Sequence, residues 1–131
     1  MRLESVNLFG IDLHRVTLRD AVSLLIEWMA HPEACLGSAS RYLGLLASTC
    51  ARFDEAAHHF ELALNINATM GARPWVAHTQ DDYAQMLVKR AGVGDLARAS
   101  DLIGEASATY RALGMRPWAS AAAELDETLR A

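Results

Sequence analysis

A six-residue segment occurs twice in this chain, with its two copies 43 residues apart. The first copy, at residues 70–75, reads MGARPW, and the second, at residues 113–118, reads LGMRPW. In each copy a glycine can end a helix in the left-handed conformation, and the proline three residues after it suits the first turn of the next helix. A recurrence of this length is typical of a stacked helical array. The segment therefore predicts the end of one helix and the start of another at two equivalent places.

The composition supports an all-α fold. Alanine accounts for 24 of the 131 residues, against only 8 glycines and 3 prolines. Because alanine is the strongest helix former and glycine and proline interrupt helices, we expect helices that pack closely through small side chains. We divide the chain into an N-terminal arm and helix over residues 1–33 and a repeat domain over residues 34–131.

Five helices are predicted in the repeat domain from apolar spacing and turn residues. Residues 51–52 and 91–94 are expected to be turns, and Asp95 is expected to be an N-cap. The predicted helices cover about residues 36–50, 53–70, 74–90, 95–113 and 117–130.

The N-terminal region has a different pattern. Residues 1–16 predict either two short strands joined around Phe9 and Gly10 or an extended arm, and a helix is expected over about residues 17–30. This region carries more apolar side chains than two repeats can easily cover, so we expect a homodimer. The apolar side chains in question are Leu8, Phe9, Leu24, Leu25 and Trp28.

Charge and cysteine content exclude several classes of protein. With 12 basic and 16 acidic residues the net charge is -4, which argues against a nucleic-acid-binding protein. The longest apolar stretch, residues 21–30, is far shorter than the roughly 20 residues that a membrane-spanning helix needs. The N-terminus does not resemble a signal peptide, and Cys35 and Cys50 are expected to be free buried thiols. We therefore expect a cytoplasmic protein that binds neither membranes nor nucleic acids.

Small and large residues recur at corresponding places of two helix pairs. The first pair carries Leu43, Gly44, Ala56, Phe60 and Ala63, and the second carries Tyr83, Ala84, Ala99, Ile103 and Ala106. This pattern resembles the tetratricopeptide repeat, a helix–turn–helix motif with small and large residues at fixed places. The resemblance implies an array of about two repeats and a terminal helix, although residues 91–94 make the second turn longer.

Two longer likenesses suggest wider relationships. The segments RYLGLLA, RFDEAAHHFELAL, MGARPWVAHTQDDYAQML and ATYRALGMRPW resemble the C-terminal helical repeats of large bacterial signalling regulators, which join an ATPase module to a cyclase-like or DNA-binding module. This resemblance implies a regulatory or scaffolding surface. The segment VNLFGIDLHRVTLRDAV resembles the N-terminus of bacterial wall-polymer glycosyltransferases, and implies the alternative that this part is a remnant of such an enzyme.

The tetratricopeptide resemblance also implies a binding face, formed by the first helix of each unit. The side chains of this face include hydrogen-bond donors and acceptors, which suit the backbone of an extended peptide. The alternative interpretation is an ordinary solvated helix face. The leading functional hypothesis is accordingly a non-enzymatic protein–protein interaction module, and the alternative is a small-molecule sensor detached from a larger regulator. The predicted partner-binding residues are Arg41, Leu45, Ser48, His78, Asp81, Gln85, Lys89 and Glu124, with Ser38 beside them.

Motifs for catalysis or cofactors give no competing prediction. No Gly-x-Ser-x-Gly or phosphate-binding-loop pattern occurs, so we predict neither an enzyme nor a cofactor. Glu55 and His59 lie four residues apart on one helix face, but two ligands do not make a metal site. His78 and Asp82 have the same spacing and are expected to form a hydrogen bond along the helix.

The repeated tryptophans, Trp75 and Trp118, follow Arg73 and Arg116 by two residues. These indole rings suit packing between repeats, and alternatively stacking on a guanidinium group or a ligand.

Overall fold

The computed structural model of the chain describes residues 38–131, together with residues 7–8, 11–12 and Arg19. Asn7–Leu8 (β1) and Ile11–Asp12 (β2) pair antiparallel, with Asn7 opposite Asp12 and Leu8 opposite Ile11. This pairing corresponds to the two-strand alternative of the sequence analysis. The predicted helix over residues 17–30, Cys35 and the remaining apolar residues of the arm lie outside the described residues, apart from the helical, exposed Arg19.

Residues 38–131 form an all-α, helical repeat-like array, as the composition and the 43-residue recurrence predict. Each helix packs mainly against the next helix in the chain, and the first helix also contacts the third. The predicted helix bounds agree with the observed ones to within about three residues. The five helices are α1 (Ala39–Thr49), α2 (Phe53–Thr69), α3 (Arg73–Arg90), α4 (Asp95–Ala112) and α5 (Arg116–Arg130).

The two copies of the repeated segment adopt the same turn. Gly71 follows α2 with φ of +67°, and Gly114 follows α4 with φ of +70°. In each turn the residue after the glycine donates its backbone N–H to a carbonyl of the preceding helix. Ala72 donates to the carbonyl of Asn67, and Met115 donates to that of Tyr110, both at 2.9 Å. A proline then occupies the first turn of α3 and of α5. The predicted helix end and helix start are therefore confirmed at both places.

The α3–α4 turn differs from the prediction in one detail. Gly94, with φ of +80°, is the N-cap of α4, and Asp95 is its first helical residue rather than the cap. The Asp95 carboxylate turns back to accept from the backbone N–H of Gly92 at 2.8 Å and from two guanidinium nitrogens of Arg90, each at 2.8 Å. The hydrogen bond from Arg90 and that from Gly92 outweigh desolvation and lower the pKa of Asp95 to about 2. The prediction that Asp95 is the N-cap of α4 was therefore wrong, because its carboxylate binds Arg90 at the end of α3 and the backbone of Gly92 instead.

Small residues let neighbouring helices approach each other closely. Ala56, Ala84 and Ala99 are fully buried, as the packing pattern predicts. At Gly44 a Cβ atom would lie only 2.8 Å from the Phe60 ring, so glycine allows α1 and α2 to touch. The Phe60 ring is itself fully buried and stacks on Tyr83 at 5.5 Å between centroids. The absence of a side chain at Gly44 therefore lets α1 lie directly on the Phe60 ring of α2.

Candidate functional site

One group of polar and aromatic side chains gathers where α1, α3, α4 and α5 meet. It centres on His78, and we call it the His78 cluster. Each of its side chains contacts at least one other member of the group, and four of the five helices contribute to it. The His78 cluster consists of Arg41, Trp75, His78, Asp81, Asp82, Tyr110 and Trp118.

Helical spacing and the internal repeat place the aromatic part of the cluster. Trp75 precedes His78 by three residues on α3, so the two side chains share a helix face and their ring centroids lie 5.5 Å apart. Trp118 is the counterpart of Trp75 in the second copy of the repeat, and its ring approaches His78 edge-on at 5.7 Å. The two tryptophans thus flank one histidine. Trp75 is half-buried, whereas Trp118 is 47% exposed.

Tyr110 supports the cluster from α4. Its side chain is fully buried, and its hydroxyl lies 2.9 Å from Nδ1 of His78. The same hydroxyl donates to Oδ2 of Asp81 at 3.4 Å. Burial, followed by the nearby carboxylates of Asp81 and Asp82, raises the pKa of Tyr110, so the phenol keeps its proton. Tyr110 therefore fixes both the ring of His78 and the carboxylate of Asp81.

The electrostatics of the cluster keep His78 neutral. Desolvation lowers the pKa of this imidazole, and the positive charge of Arg41 lowers it further against an opposing effect from Asp81. Since the ordinary histidine pKa already lies below 7, His78 carries no charge at neutral pH. Its side chain therefore acts as an aromatic and hydrogen-bonding group.

An ion pair links α1 to α3 at one edge of the cluster. Nε of Arg41 lies 2.6 Å from Oδ2 of Asp82, and the two side chains are only 14% and 18% exposed. The Arg41 guanidinium also lies 5.7 Å from the centroid of the Trp75 ring. Desolvation outweighs the attraction of Arg41 and raises the pKa of Asp82 to about 6. At neutral pH the pair is mostly ionised, and it holds α1 against α3.

The predicted hydrogen bond between His78 and Asp82 is replaced by two longer-range contacts. Asp82 accepts from Arg41 on α1, and His78 pairs with Tyr110 on α4. Side chains four apart on a helix face can reach each other, but here both have charge-assisted or buried partners on neighbouring helices. The within-helix prediction was therefore wrong.

Three of the predicted partner-binding residues lie in the cluster, namely Arg41, His78 and Asp81. Gln85 lies one turn further along α3 and donates to Oδ1 of Asp81 at 2.8 Å. It therefore extends the cluster along the exposed face of α3. Lys89 is exposed near the end of the same helix.

The other predicted residues lie apart from the cluster. Leu45 is partly buried and packs against the hydrophobic core, while Ser48 is half-buried near the end of α1. Ser38 is buried as the N-cap of α1, where its hydroxyl accepts from the backbone N–H of Ser40 at 3.2 Å. Glu124 is exposed on α5 at the position equivalent to Asp81 in the repeat. The binding roles of these residues stay predictions.

Four members of the cluster were absent from the predicted site, namely Trp75, Asp82, Tyr110 and Trp118. The repeated Arg-Pro-Trp segment was a usable signal for the two tryptophans, because both copies place the indole in the first turn of a helix. The guanidinium over Trp75 comes from Arg41, which is distant in sequence from the arginine of either copy. No local pattern distinguishes Tyr110 from an ordinary core side chain, since its ring is buried in the hydrophobic core and its hydroxyl reaches His78.

The described residues were also compared with the patterns of a metal site and of a membrane-spanning helix. Glu55 forms an ion pair with Arg52, and the pKa of His59 is lowered first by burial and then by the neighbouring His58. Among residues 38–131 and the short described N-terminal pieces, no group of three or more metal-ligating side chains is found. No helix in the same part of the chain is long and apolar enough to cross a membrane.

Comparison of the chain with protein-family models, with curated proteins and with solved structures finds no match. The likeness to tetratricopeptide repeats consequently depends on the residue pattern and on the helical array described above.

Proposed function

We propose that this chain is a tetratricopeptide-type, non-enzymatic interaction module that binds a peptide or a partner protein across the exposed face of α1, α3 and α5. The observation that carries the proposal is the His78 cluster, with Trp118 standing 47% exposed at its edge. An isolated exposed apolar side chain is ordinary on a protein surface. The Trp118 ring is held edge-on against His78, which itself contacts a second tryptophan, Trp75, and the buried Tyr110, so an exposed aromatic ring is already ordered for contact with a partner.

The residue types of the cluster support a binding role. Tryptophan, tyrosine and arginine are the side chains that most often dominate the binding energy of protein interfaces, and here they lie together. Tyr110 holds the ring of His78 and Asp82 holds the guanidinium of Arg41, so these two side chains lose little freedom when a partner docks. Gln85 and Lys89 continue along α3 and supply a donor and a charge for a peptide backbone or side chain.

A display selection tests this proposal directly. The full chain is used to select from a random peptide library, and the dissociation constants of the selected peptides are measured by calorimetry. Trp118→Ala is the test variant. Leu96→Ala is its matched control, because Leu96 is 53% exposed but lies at the start of α4, outside the cluster. Since a hot-spot side chain contributes about 2 kcal/mol or more, Trp118→Ala should weaken binding about thirtyfold and Leu96→Ala should not. Equal affinities in both variants contradict the proposed site.

The alternative function is a small-molecule-sensing domain detached from a larger bacterial transcriptional or signalling regulator. The close spacing of rings around His78, all within 5.7 Å between centroids, favours this alternative because a planar ligand can stack there. A thermal-shift screen of metabolites distinguishes the two functions. A metabolite that stabilises the wild-type chain but not Trp118→Ala supports sensing, and selected peptides without any such metabolite support the interaction module.

Self-association and a cytoplasmic location complete the proposal. The apolar residues of the arm, among them Leu8, Phe9 and Trp28, support a homodimer because their number exceeds what two repeats cover. Light scattering of the full chain at high concentration should give twice the mass of 14.3 kDa. A monomer mass contradicts the dimer and leaves the peptide-binding proposal intact.

A further inference from the structure

We infer that the His78 cluster recognises a cationic group, supplied by a lysine or arginine side chain of the bound peptide and placed against the ring of Trp118. This inference rests on the proposed peptide-binding function and adds the chemistry of the ligand to it.

The aromatic geometry is the first support. A cation within about 6 Å of an aromatic ring centroid is attracted to the ring face, and tryptophan is the best such ring. Trp75 already receives the Arg41 guanidinium in this way, at 5.7 Å. Within the described residues no guanidinium lies over the equivalent ring of Trp118, which is 47% exposed. In the first copy of the repeat the tryptophan ring is covered by Arg41. In the second copy the equivalent ring is therefore open to a cation of the ligand.

The charges around the cluster are the second support. Arg41 and Asp82 neutralise each other as an ion pair, and His78 is uncharged. Among the described residues, the hydrogen bonds that Asp81 accepts come from uncharged donors, namely the Gln85 amide and the Tyr110 hydroxyl. The cluster thus keeps one negative charge without a cationic partner. A cation on the ligand pairs with this negative charge, whereas a carboxylate on the ligand is repelled by it.

Two arginines near the tryptophans belong to other surfaces. Arg73 lines a groove of about 250 Å³ with Val76 and Thr109. Arg116 lines the equivalent groove of about 340 Å³ in the second copy, between the end of α4 and α5. None of the residues of the His78 cluster lines either groove. Glu124, the repeat counterpart of Asp81, adds a further negative charge to α5.

The test compares a cationic probe with a neutral probe of the same shape. Nα-acetyl-arginine amide and Nα-acetyl-citrulline amide are titrated into the full chain, and the indole N–H signals are followed by NMR. We expect the Trp118 signal to shift with the arginine probe, and the citrulline probe to bind about tenfold more weakly. In peptides selected by display, arginine or lysine should recur at one position, and citrulline there should weaken binding by a similar factor.

Variants separate the ring from the charge. Trp118→Ala should abolish the preference for arginine over citrulline, and Asp81→Asn should reduce it several-fold. Leu96→Ala should leave it unchanged. Circular dichroism checks that each variant keeps its helices, and Trp118→Phe, which retains an aromatic ring, should retain part of the preference.

The outcomes distinguish this inference from the proposed function. Peptides that bind equally well with citrulline overturn the cationic ligand and leave the interaction module standing. If no peptide is selected, the interaction module fails, and the arginine probe alone then decides the chemistry of the cluster. A Trp118 shift that the arginine probe produces and the citrulline probe does not supports a cation site, and no shift with the arginine probe overturns it.

Discussion

Replacing Gly44 by alanine tests the close approach of α1 and α2. The added Cβ would lie 2.8 Å from two ring atoms of Phe60, whereas carbon atoms in contact are normally about 3.5–4.0 Å apart. The ring must therefore move by about 1 Å, and it is fully buried and stacked on Tyr83. A forced shift of this kind in a packed core costs about 1–3 kcal/mol. Alanine recovers about 1 kcal/mol through its better helix propensity. We expect Gly44→Ala to lower the free energy of unfolding by about 1 kcal/mol, within a range of about 0–2.

Gly104 provides the matched control for this substitution. It also lies inside a helix, α4, but a Cβ there would meet only the flexible end of Arg130, at 3.5 Å. Gly104→Ala should therefore raise the free energy of unfolding by about 0.5–1 kcal/mol through helix propensity alone. Urea denaturation followed by circular dichroism measures both variants, and an unchanged m-value shows that the denatured states are comparable. If Gly44→Ala is stabilised as much as Gly104→Ala, the close contact with Phe60 does not exist and the helix packing described here is wrong.

Three further predictions concern the polar contacts. The folded-state pKa of Asp82, about 6, lies above its ordinary value of 3.8, so the folded protein binds this proton more tightly. The stability that this group contributes is present below about pH 4 and decreases as the pH rises from about 4 to 6. Asp82→Asn should therefore make the urea midpoint depend less on pH over that range. The same pH dependence in the variant and the wild type contradicts this prediction. The folded-state pKa of Asp95 is instead lowered to about 2, so its contribution is present above about pH 4 and is lost as the pH falls towards 2. Acid titration of Asp95→Asn should show a smaller loss of stability in that window than the wild type does. Tyr110→Phe removes the hydroxyl that lies 2.9 Å from Nδ1 of His78 and should cost about 1–3 kcal/mol in urea denaturation, while a neutral effect would show that this hydrogen bond does not stabilise the fold.

Local signals explain why the helix boundaries were predictable. Gly71 and Gly114 adopt the left-handed conformation that ends a helix, and each is followed by a proline suited to a first turn. These preferences act within a few residues, so they are visible in the sequence. Asp95 was misassigned for the opposite reason. Its carboxylate serves the α3–α4 turn through Arg90 rather than its own helix terminus.

The candidate site was only partly predictable, because its partners come from different helices. The spacing of His78 and Asp82 suggests a contact along α3, yet each has a partner more than 30 residues away in sequence, Arg41 or Tyr110. Burial decides between these alternatives, and burial depends on how α1 and α4 lie against α3. Leu45 shows the same limit, since its helix position suggests an exposed face while its side chain packs against the core. Helix position was predictable, whereas the choice of partner was set by tertiary packing.

We propose that a partner binds at the His78 cluster rather than elsewhere on the array. Chemical-shift mapping of the isotope-labelled full chain with a selected peptide tests this most directly. We predict that the largest shifts occur at the indole N–H groups of Trp75 and Trp118 and at the ring of His78. The competing surface is the exposed apolar stripe of α2, formed by Leu62, Ile66 and Met70. Shifts concentrated on that stripe, with the two tryptophan signals unmoved, would contradict the account.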